Sequence, residues 1–287
     1  LAAALLLGLG SGAIDAGLNA YAALHFSGRQ MNWLHAAFGL GAAAGPFVLT
    51  AALAAGGSWR LGYAVLALLL ALLAATFVAR IGIWDGADAA PPKSTPDREA
   101  ASPTAGRRAM ALQIVTFATY TGVEMAAGQW AYTLLTESRG LAPATAGVWT
   151  GLYWAGLFAG RIGFGALGDR MAPATMVRLG TLGAVVGTAA LAFGPTAVGL
   201  PALVLVAFFL APVFPMLMLL TPQRFGTAAA SRLVGLQISA AMFGGFALPT
   251  LGGFLADRGG LETIPMLLVA AALLTWLLTE ALPRPNR

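Results

Sequence analysis

Long apolar runs separated by short polar segments dominate this sequence. In nine places the run reaches about 20 residues or more, the length of helix that crosses a hydrocarbon core. These runs predict helices over 1–26, 31–55, 61–83, 110–136, 143–167, 174–194, 198–221, 231–256 and 262–282. The charge-free stretch from Leu179 to Gln223 is too long for one crossing, and Gly194-Pro195 supplies a turn that divides it into a helical hairpin.

The composition places these helices in a membrane. Apolar residues make up 59% of the chain and charged residues 9%, against about 25% charged in soluble domains, so the chain could not cover a water-exposed surface. The runs are too continuous for the alternating strands of a lipid-facing barrel. The absence of cysteine excludes disulfides and thiol catalysis. We therefore predict an all-α polytopic membrane protein.

Basic residues fall unevenly on the two sides of the predicted helices. If the carboxy terminus is cytoplasmic, twelve Lys and Arg residues lie inside and three, Arg60, Arg139 and Arg258, lie outside. This bias follows the positive-inside rule, so we expect a multi-pass protein of the cell (inner) membrane with a cytoplasmic carboxy terminus. Because the basic residues stand in short loops beside membrane helices, we do not expect nucleic-acid binding.

A polar segment divides the predicted helices into three and six. Residues 84–109 are rich in Pro, Ala, Ser, Asp and Arg without apolar periodicity, which predicts a cytoplasmic linker. The predicted domains are therefore a partial bundle over 1–83 and a complete six-helix bundle over 110–287. A 6+6 architecture that lacks its first three helices would explain both the odd number of crossings and their orientation. A shared spacing of arginine, glycine and proline in the second and eighth helices is expected for two related halves.

Asp15 is the only charged residue between Leu1 and Gly28. An acid in the middle of a membrane helix costs about 2.5 to 3.5 kcal/mol on insertion scales, so it faces a cavity, a partner or an ion path. Asn19 lies one turn further along the same face. We predict that Asp15 is a proton-coupling carboxyl; the alternative is a structural acid hydrogen-bonded to Asn19 or to a neighbouring helix.

Glu124 is the second acid inside a predicted helix. Tyr120 and Gly128 lie one turn before and one turn after it on the same face, and Gly122 and Gly128 favour a local break of the kind that lines substrate sites. We predict that Glu124 also takes part in proton coupling. The alternative is an interhelical hydrogen bond without a role in transport.

The turn after the fifth predicted helix carries a recognisable pattern. Residues 165–170, Gly-Ala-Leu-Gly-Asp-Arg, resemble the Gly-x-x-x-Asp-Arg/Lys loop motif of the major facilitator superfamily. Gly165, Asp169 and Arg170 are the matching residues, and the resemblance implies a role in conformational change. Met171 follows where the family usually has glycine and then a basic cluster.

Two further patterns resemble the fucose permease branch of that superfamily, which consists of sugar/proton symporters. Those proteins carry Gly-x-Gly-x-x-Glu-x-x-x-Asn on their fourth helix and Arg-x-x-Asn-x-x-Gln with a glycine on their fifth. The matching residues are Gly10, Gly12, Asp15 and Asn19 for the first pattern and Arg29, Asn32, His35 and Gly41 for the second, with aspartate for glutamate and histidine for glutamine. The resemblance implies a major facilitator fold of two six-helix bundles, a proton-coupling role for Asp15 and a sugar-contacting position for His35.

Polar and aromatic side chains on these helices suit a sugar. Sugars present apolar ring faces and many hydroxyls, which match aromatic platforms beside amides, although the same residues also serve as interhelical donors or membrane-interface anchors. The predicted substrate-binding residues are Asn19, Asn32, His35, Tyr120, Gln129, Trp130, Trp154 and Gln237. With only His25 and His35 in the chain, no metal site is expected, and we expect no cofactor.

Three other residues inside the apolar runs carry structural expectations. Arg161 is expected to extend its charged end to the cytoplasmic face; the alternative is that it pairs with an acid. Pro212 and Pro215 remove backbone donors and are expected to open the seventh helix. Because that helix corresponds to the glycine-rich first helix in the proposed repeat, interrupted helices are expected in both places.

Together these patterns predict a secondary active transporter of a small polar solute. We expect proton-coupled monosaccharide uptake by alternating access, by a monomer whose partners are the solute, the proton and the lipid bilayer. Proton-driven efflux of drugs or other hydrophobic compounds and a truncated, transport-incompetent remnant are the alternatives. An intramembrane enzyme is disfavoured because no nucleophile stands with a base or a metal ligand set.

Overall fold

The computed structural model describes residues 2–54, 57–83, 106–168 and 170–283. All nine predicted runs are helical there, and none of these residues forms a β-strand, so the all-α prediction is confirmed. The helices are α1 (Ala2–His25), α2 (Gly28–Ala54), α3 (Trp59–Ala79), α4 (Arg107–Thr133), α5 (Pro143–Leu167), α6 (Pro173–Phe193), α7 (Thr196–Leu210), α8 (Val213–Phe225), α9 (Thr227–Gly259) and α10 (Thr263–Ala281).

Some of these helices could cross a membrane on length and composition alone. Within the described residues, five stretches qualify: Trp59–Ala79, Pro173–Phe193, Thr196–Phe225, Thr227–Gly259 and Thr263–Ala281. The stretch Thr196–Phe225 combines α7 and α8, which the sequence predicts as a single crossing.

The chain forms two compact units, residues 1–36 with 101–287 and residues 37–100. In the smaller unit, the indole of Trp59 lies 4.6 Å from the Arg60 guanidinium and meets the ring of Tyr63 edge-on at 6.0 Å. Aromatic and basic side chains at a helix end are typical of a membrane interface. The predicted linker lies outside the described residues except for its last four residues, the last three of which begin α4.

Glycines bring helices of the larger unit into backbone contact. A Cβ at Gly122 of α4 would lie 2.9 Å from Leu248 of α9, and a Cβ at Gly244 of α9 would collide with the backbone carbonyl of Ala118. On α5, a Cβ at Gly156 would lie 2.8 Å from the Val204 carbonyl of α7, and a Cβ at Gly160 would lie 2.5 Å from the Phe208 carbonyl, one turn further along α7. Small residues spaced one turn apart let helices approach closely in membrane proteins.

Two prolines break the seventh predicted helix, as expected. α7 ends at Leu210, and α8 begins at Val213, after Pro212. Pro212 and Pro215 lack the amide hydrogens that would bond the carbonyls of Phe208 and Ala211, so the helical ladder cannot continue through this point. The break places the aromatic ring of Phe214 at the start of α8, inside the core.

The breaks predicted from glycine alone do not occur, so those two predictions were wrong. α1 is continuous from Ala2 to His25, and α4 is continuous through Gly122 and Gly128. Glycine costs a helix about 1 kcal/mol relative to alanine but keeps its amide donor, whereas proline removes the donor and clashes with the preceding turn.

A buried arginine joins the loops at one end of the larger unit. α4 continues into a π-helical turn (Leu134–Ser138), and Arg139 then donates to the Leu191 carbonyl at 2.7 Å and pairs with Glu262 at 3.1 Å. Ser138 also donates to Glu262 at 2.7 Å. Partial burial tends to raise the pKa of Glu262, but hydrogen bonds from Arg139 and Ser138 and the charge of Arg139 outweigh it and hold this pKa below its ordinary value of 4.5. We call Ser138, Arg139 and Glu262 the loop clamp.

We expect Gly244→Val to destabilise the folded protein, because the added side chain meets backbone of α4 that cannot rotate away. Overpacking of this kind costs about 1 to 3 kcal/mol. Unfolding in detergent micelles measures the effect. Gly235→Val on the same helix is the control, since a Cβ there has nothing within 4 Å, and equal destabilisation by both variants would contradict the packing described here.

The loop clamp gives stability a defined pH dependence. Because the folded-state pKa of Glu262 is lowered, the clamp stabilises the protein above pH 4.5 and loses this contribution as the pH falls through the folded-state pKa. We expect Glu262→Gln to have a lower melting temperature than wild type at neutral pH, and the difference to shrink on acidification. Glu137→Gln, in the adjacent turn, should show no such trend; a pH-independent difference for Glu262→Gln would refute the assignment.

Candidate functional site

Asp15, Asn19 and His35 form a hydrogen-bonded set between α1 and α2. The Asn19 amide Nδ2 donates to Asp15 Oδ1 at 2.9 Å and to the Asp15 carbonyl at 3.0 Å. Its Oδ1 lies 3.1 Å from His35 Nε2. Because the amide nitrogen is engaged by Asp15, the amide oxygen must accept, so His35 carries its hydrogen on Nε2. Asn19 is only 2% exposed, while Asp15 is half-buried.

Arg161 of α5 extends this set to Glu124 of α4. Its Nη1 donates to the backbone carbonyl of His35 at 2.9 Å, and its Nη2 lies 3.9 Å from Glu124 Oε2. The Arg161 side chain is 5% exposed and that of Glu124 11%. The preferred position of the Arg161 charge at the cytoplasmic face is wrong, and the alternative, an acid partner, is confirmed, because the guanidinium lies beside a backbone carbonyl and a carboxylate inside the protein.

Tyrosines complete the surroundings of Glu124. The Tyr120 hydroxyl donates to Glu124 Oε2, as their spacing of one turn allows, and the Tyr153 hydroxyl donates to the Glu124 backbone carbonyl at 2.6 Å. The ring of Phe214 covers the group, 5.0 Å from the His35 ring and 6.3 Å from that of Tyr120. We call the connected side chains the polar network: Asp15, Asn19, His35, Arg161, Glu124 and Tyr120.

A separate open depression of ≈ 330 Å³ lies between α4 and α9. Gln129, Trp130 and Thr133 line it from α4, and Pro249 and Thr250 from α9. The Trp130 indole is held in place, because its Nε1 donates to the Pro249 carbonyl at 3.0 Å. Gln129 and Trp130, both predicted to bind substrate, therefore lie together, but at a distance of about one and a half turns from Glu124 along the helix.

Two other predicted residues lie elsewhere. Trp154 of α5 is 36% exposed, and its ring packs against Gly128 of α4. A Cβ at Gly128 would collide with this ring. Gln237 of α9 is 1% exposed and accepts a hydrogen bond from Thr221 at 3.0 Å. Its cluster continues through Gln113 to Arg224, separate from the polar network.

Comparison with known proteins identifies the fold. The sequence matches the Major Facilitator Superfamily over residues 1–237 and 112–287. The chain belongs to the major facilitator superfamily. Two similar solved structures are the MFS transporter FucP in the outward conformation, at 19% identity and a TM-score of 0.55, and a variant of the E. coli fucose:proton symporter FucP, at 18% and 0.54. Each comparison covers 62% of this chain and 43% of the other, so the chain spans less than half the length of these neighbours. The search of curated proteins gave no match.

The facilitator loop motif meets the start of α2. A Cβ at Gly28 would lie 2.8 Å from the Gly168 carbonyl, and a Cβ at Gly165 would lie 2.8 Å from the Trp33 indole. Arg170 is exposed, and Asp169 lies outside the described residues. The glycines of this turn therefore permit a close approach to α2, and the role of the motif in conformational change stays a prediction.

Asn32 lies at the same contact between α2 and α5 of this facilitator. Its Nδ2 donates to the Gly28 carbonyl at 2.9 Å, while its Oδ1 has no hydrogen-bond donor among the described residues. It is fully buried, one turn from His35 on the same face. In the part of the chain described, no three His, Asp or Glu side chains come together as metal ligands.

Sequence reasoning missed several polar residues of the facilitator core. Tyr153 was not predicted, since a tyrosine in an apolar run resembles an interface anchor. For Arg161 the acid partner that the structure shows was only the second choice. Charge inside an apolar run was the available signal for Arg161. The cluster around Gln237 of α9 was missed because its partners come from two other helices: Gln113 from α4, more than 100 positions away, and Thr221 and Arg224 from α8.

A double-mutant cycle tests the link between α1 and α2. Asn19→Ala or His35→Ala removes one partner of the same buried hydrogen bond, so we expect their costs in unfolding free energy to be non-additive by about 0.5 to 3 kcal/mol. Unfolding in detergent micelles measures each variant and the double variant. Asn19→Ala combined with Gln113→Ala, in the separate cluster, should be additive within about 0.5 kcal/mol. Additivity of the first pair would show that the bond does not form.

Proposed function

We propose that this facilitator is a secondary active transporter that couples proton movement to uptake of a small polar solute, of the monosaccharide class, by alternating access. The polar network is the observation that supports this function best. It contains both intramembrane acids, Asp15 and Glu124, and connects them through Asn19, His35 and Arg161. Carboxyls inside membrane helices mark proton and solute paths.

The two carboxyls have surroundings suited to taking up and releasing protons. Asp15 is half-buried and accepts from a neutral amide, without a cation within ion-pair distance among the described residues. Glu124 is buried, and its Oε2 has two neighbours, the Tyr120 hydroxyl, which donates to it, and the Arg161 guanidinium at 3.9 Å. A carboxyl that can exchange partners can change its protonation state without leaving a buried charge unpaired.

The solute site is proposed at the polar network and in the depression between α4 and α9. Asn19, His35 and Tyr120 offer an amide, an imidazole and a hydroxyl beside the acids, and Asn32 has an amide oxygen without a donor among the described residues. In the depression, Gln129 offers an amide beside the fixed indole of Trp130, which suits the apolar face of a sugar ring. The remaining predicted contacts, Trp154 and Gln237, require rearrangement, since Gln237 is already bonded to Thr221.

The cellular setting is likewise proposed from charge and fold. The bias of basic residues supports a cytoplasmic carboxy terminus and an inner-membrane location.

The E. coli fucose:proton symporter has the same fold, and a sugar:proton mechanism for this chain is consistent with that likeness. We propose that the chain works as a monomer. The polar side chains of the network and of the depression between α4 and α9 favour a polar solute over the hydrophobic compounds of an efflux pump.

Replacement of Asp15 tests proton coupling. Asp15→Asn keeps the hydrogen-bonding shape but cannot carry a proton, so we expect it to abolish uphill accumulation of solute driven by a pH gradient while leaving counterflow exchange. Proteoliposomes and a panel of radiolabelled monosaccharides, beginning with L-fucose, provide the measurement.

The matched control is Asp257→Asn, at an exposed carboxyl near the end of α9, which should transport like wild type. Unchanged uphill uptake by Asp15→Asn would refute its role. Absence of both exchange and uptake in the wild-type protein would favour the transport-incompetent remnant.

A further inference from the structure

The guanidinium of Arg161 is incompletely paired. Of its three nitrogens, Nη1 has a hydrogen-bond acceptor, the His35 carbonyl. Nε is buried and has no acceptor among the described residues, and Nη2 lies 3.9 Å from Glu124 Oε2, beyond hydrogen-bond distance. Nε and Nη2 form one edge of the guanidinium, the edge that binds a carboxylate through two parallel hydrogen bonds.

Glu124 is the counter-charge that the structure gives to Arg161. Among the described residues, the other titratable groups around this pair are Tyr120 on α4, Tyr153 on α5 and His35 on α2. In their neutral forms these side chains carry no charge, so none of them balances the charge of Arg161. A buried guanidinium without a counter-charge is strongly unfavourable. Protonation of Glu124 would therefore leave Arg161 in need of another anion.

We propose that the transported solute carries a carboxylate, which binds the Nε/Nη2 edge of Arg161 when Glu124 is protonated. This inference rests on the proposed function and names the solute class as a sugar acid, a monoanion with several hydroxyls. The exchange balances: Glu124 gains one proton and becomes neutral, and the solute carboxylate takes its place beside Arg161. When the solute leaves, Glu124 releases the proton and pairs with Arg161 again.

Charge compensation explains why a carboxylate fits better than a hydroxyl. A neutral hydroxyl can accept a hydrogen bond from Arg161 but does not offset its charge, whereas a carboxylate does both and matches the planar edge. One proton and one monoanion carry no net charge. In this mechanism Asp15 and Glu124 bind the same proton in turn, so uptake is electroneutral and is driven by the pH gradient alone.

Uptake into proteoliposomes separates this proposal from the proposed function. D-galacturonate and D-galactose share a ring and differ at C6, where the acid has a carboxylate and the neutral sugar a hydroxymethyl group; D-glucuronate and D-glucose form a second such pair. We expect an inward proton gradient to accumulate the acids on the order of tenfold or more above the neutral sugars, as a charge-assisted bond predicts. A potassium diffusion potential should leave acid uptake unchanged.

Each other outcome has a definite meaning. Accumulation of the neutral sugars as well as or better than the acids overturns the carboxylate assignment and leaves the proposed function intact. Acid uptake that responds to membrane potential overturns the electroneutral exchange. Accumulation of none of the four sugars overturns the inference, whereas the proposed function is overturned only when the whole panel of monosaccharides that begins with L-fucose also fails to accumulate.

Substitutions at the pair supply a second test, by equilibrium binding of D-galacturonate in detergent. Glu124→Gln mimics the protonated acid, so we expect it to retain binding and to lose the dependence of binding on pH. Arg161→Gln should weaken binding on the order of tenfold or more, with partial recovery in Arg161→Lys. Arg178→Gln, which removes an arginine from the Arg178–Glu280 ion pair between α6 and α10, is the matched control and should bind like wild type.

The double variant Arg161→Gln/Glu124→Gln is the second variant to measure, because the single variants leave one charge unpaired and could misfold. It removes both charges together, so neither is left buried and unpaired, and replacing a buried pair in this way is often neutral for stability. We expect it to fold and to bind D-galacturonate no better than D-galactose. A preserved preference for the acid in this variant would overturn the role of Arg161.

Discussion

The cost of a buried charge governs the polar core of this protein. Arg161 is placed among membrane helices where water does not reach it, and a guanidinium there requires acceptors from the protein itself. The His35 carbonyl supplies an acceptor, and the Glu124 carboxylate, 3.9 Å away, supplies the counter-charge, each from another helix. Because the arginine cannot lose its charge, these two partners hold α2 and α4 beside α5. Any change in the charge of Glu124 must then be compensated at the same place.

Backbone features position this group. Glycines on α4, α5 and α9 allow the helices to approach until side chains meet backbone atoms, which excludes solvent and strengthens the electrostatic interactions inside. The proline break between α7 and α8 directs Phe214 against His35 and Tyr120, so an apolar ring closes one side of the network. The break and the charges are thus parts of one arrangement, although they lie far apart in the sequence.

The sequence was sufficient to locate the helices and the two acids inside them, while the proton-coupling role of these acids stays a prediction. Apolar run length is a local property, and the runs at 143–167 and 174–194 match α5 and α6 almost residue for residue. The sequence was not sufficient where the position of a side chain depends on a partner from a distant part of the chain. For Arg161 the surface position was preferred over an acid partner, because its partners at His35 and Glu124 are 126 and 37 positions away in the sequence. The glycine breaks were wrong because glycine permits a bend that nothing around α1 or α4 imposes.

The two intramembrane acids differ in what their protonation would change. Asp15 is held by a neutral amide of its own helix, so gaining or losing a proton alters one local hydrogen bond. Glu124 is paired with a cation from another helix, so its protonation frees an interhelical contact and leaves a charge to be balanced. A conformational change needs an element that is stable in two arrangements, and only the second kind of pair provides one. We therefore propose Glu124 as the acid at which proton binding is converted into helix movement, with Asp15 connected to it through Asn19, His35 and Arg161.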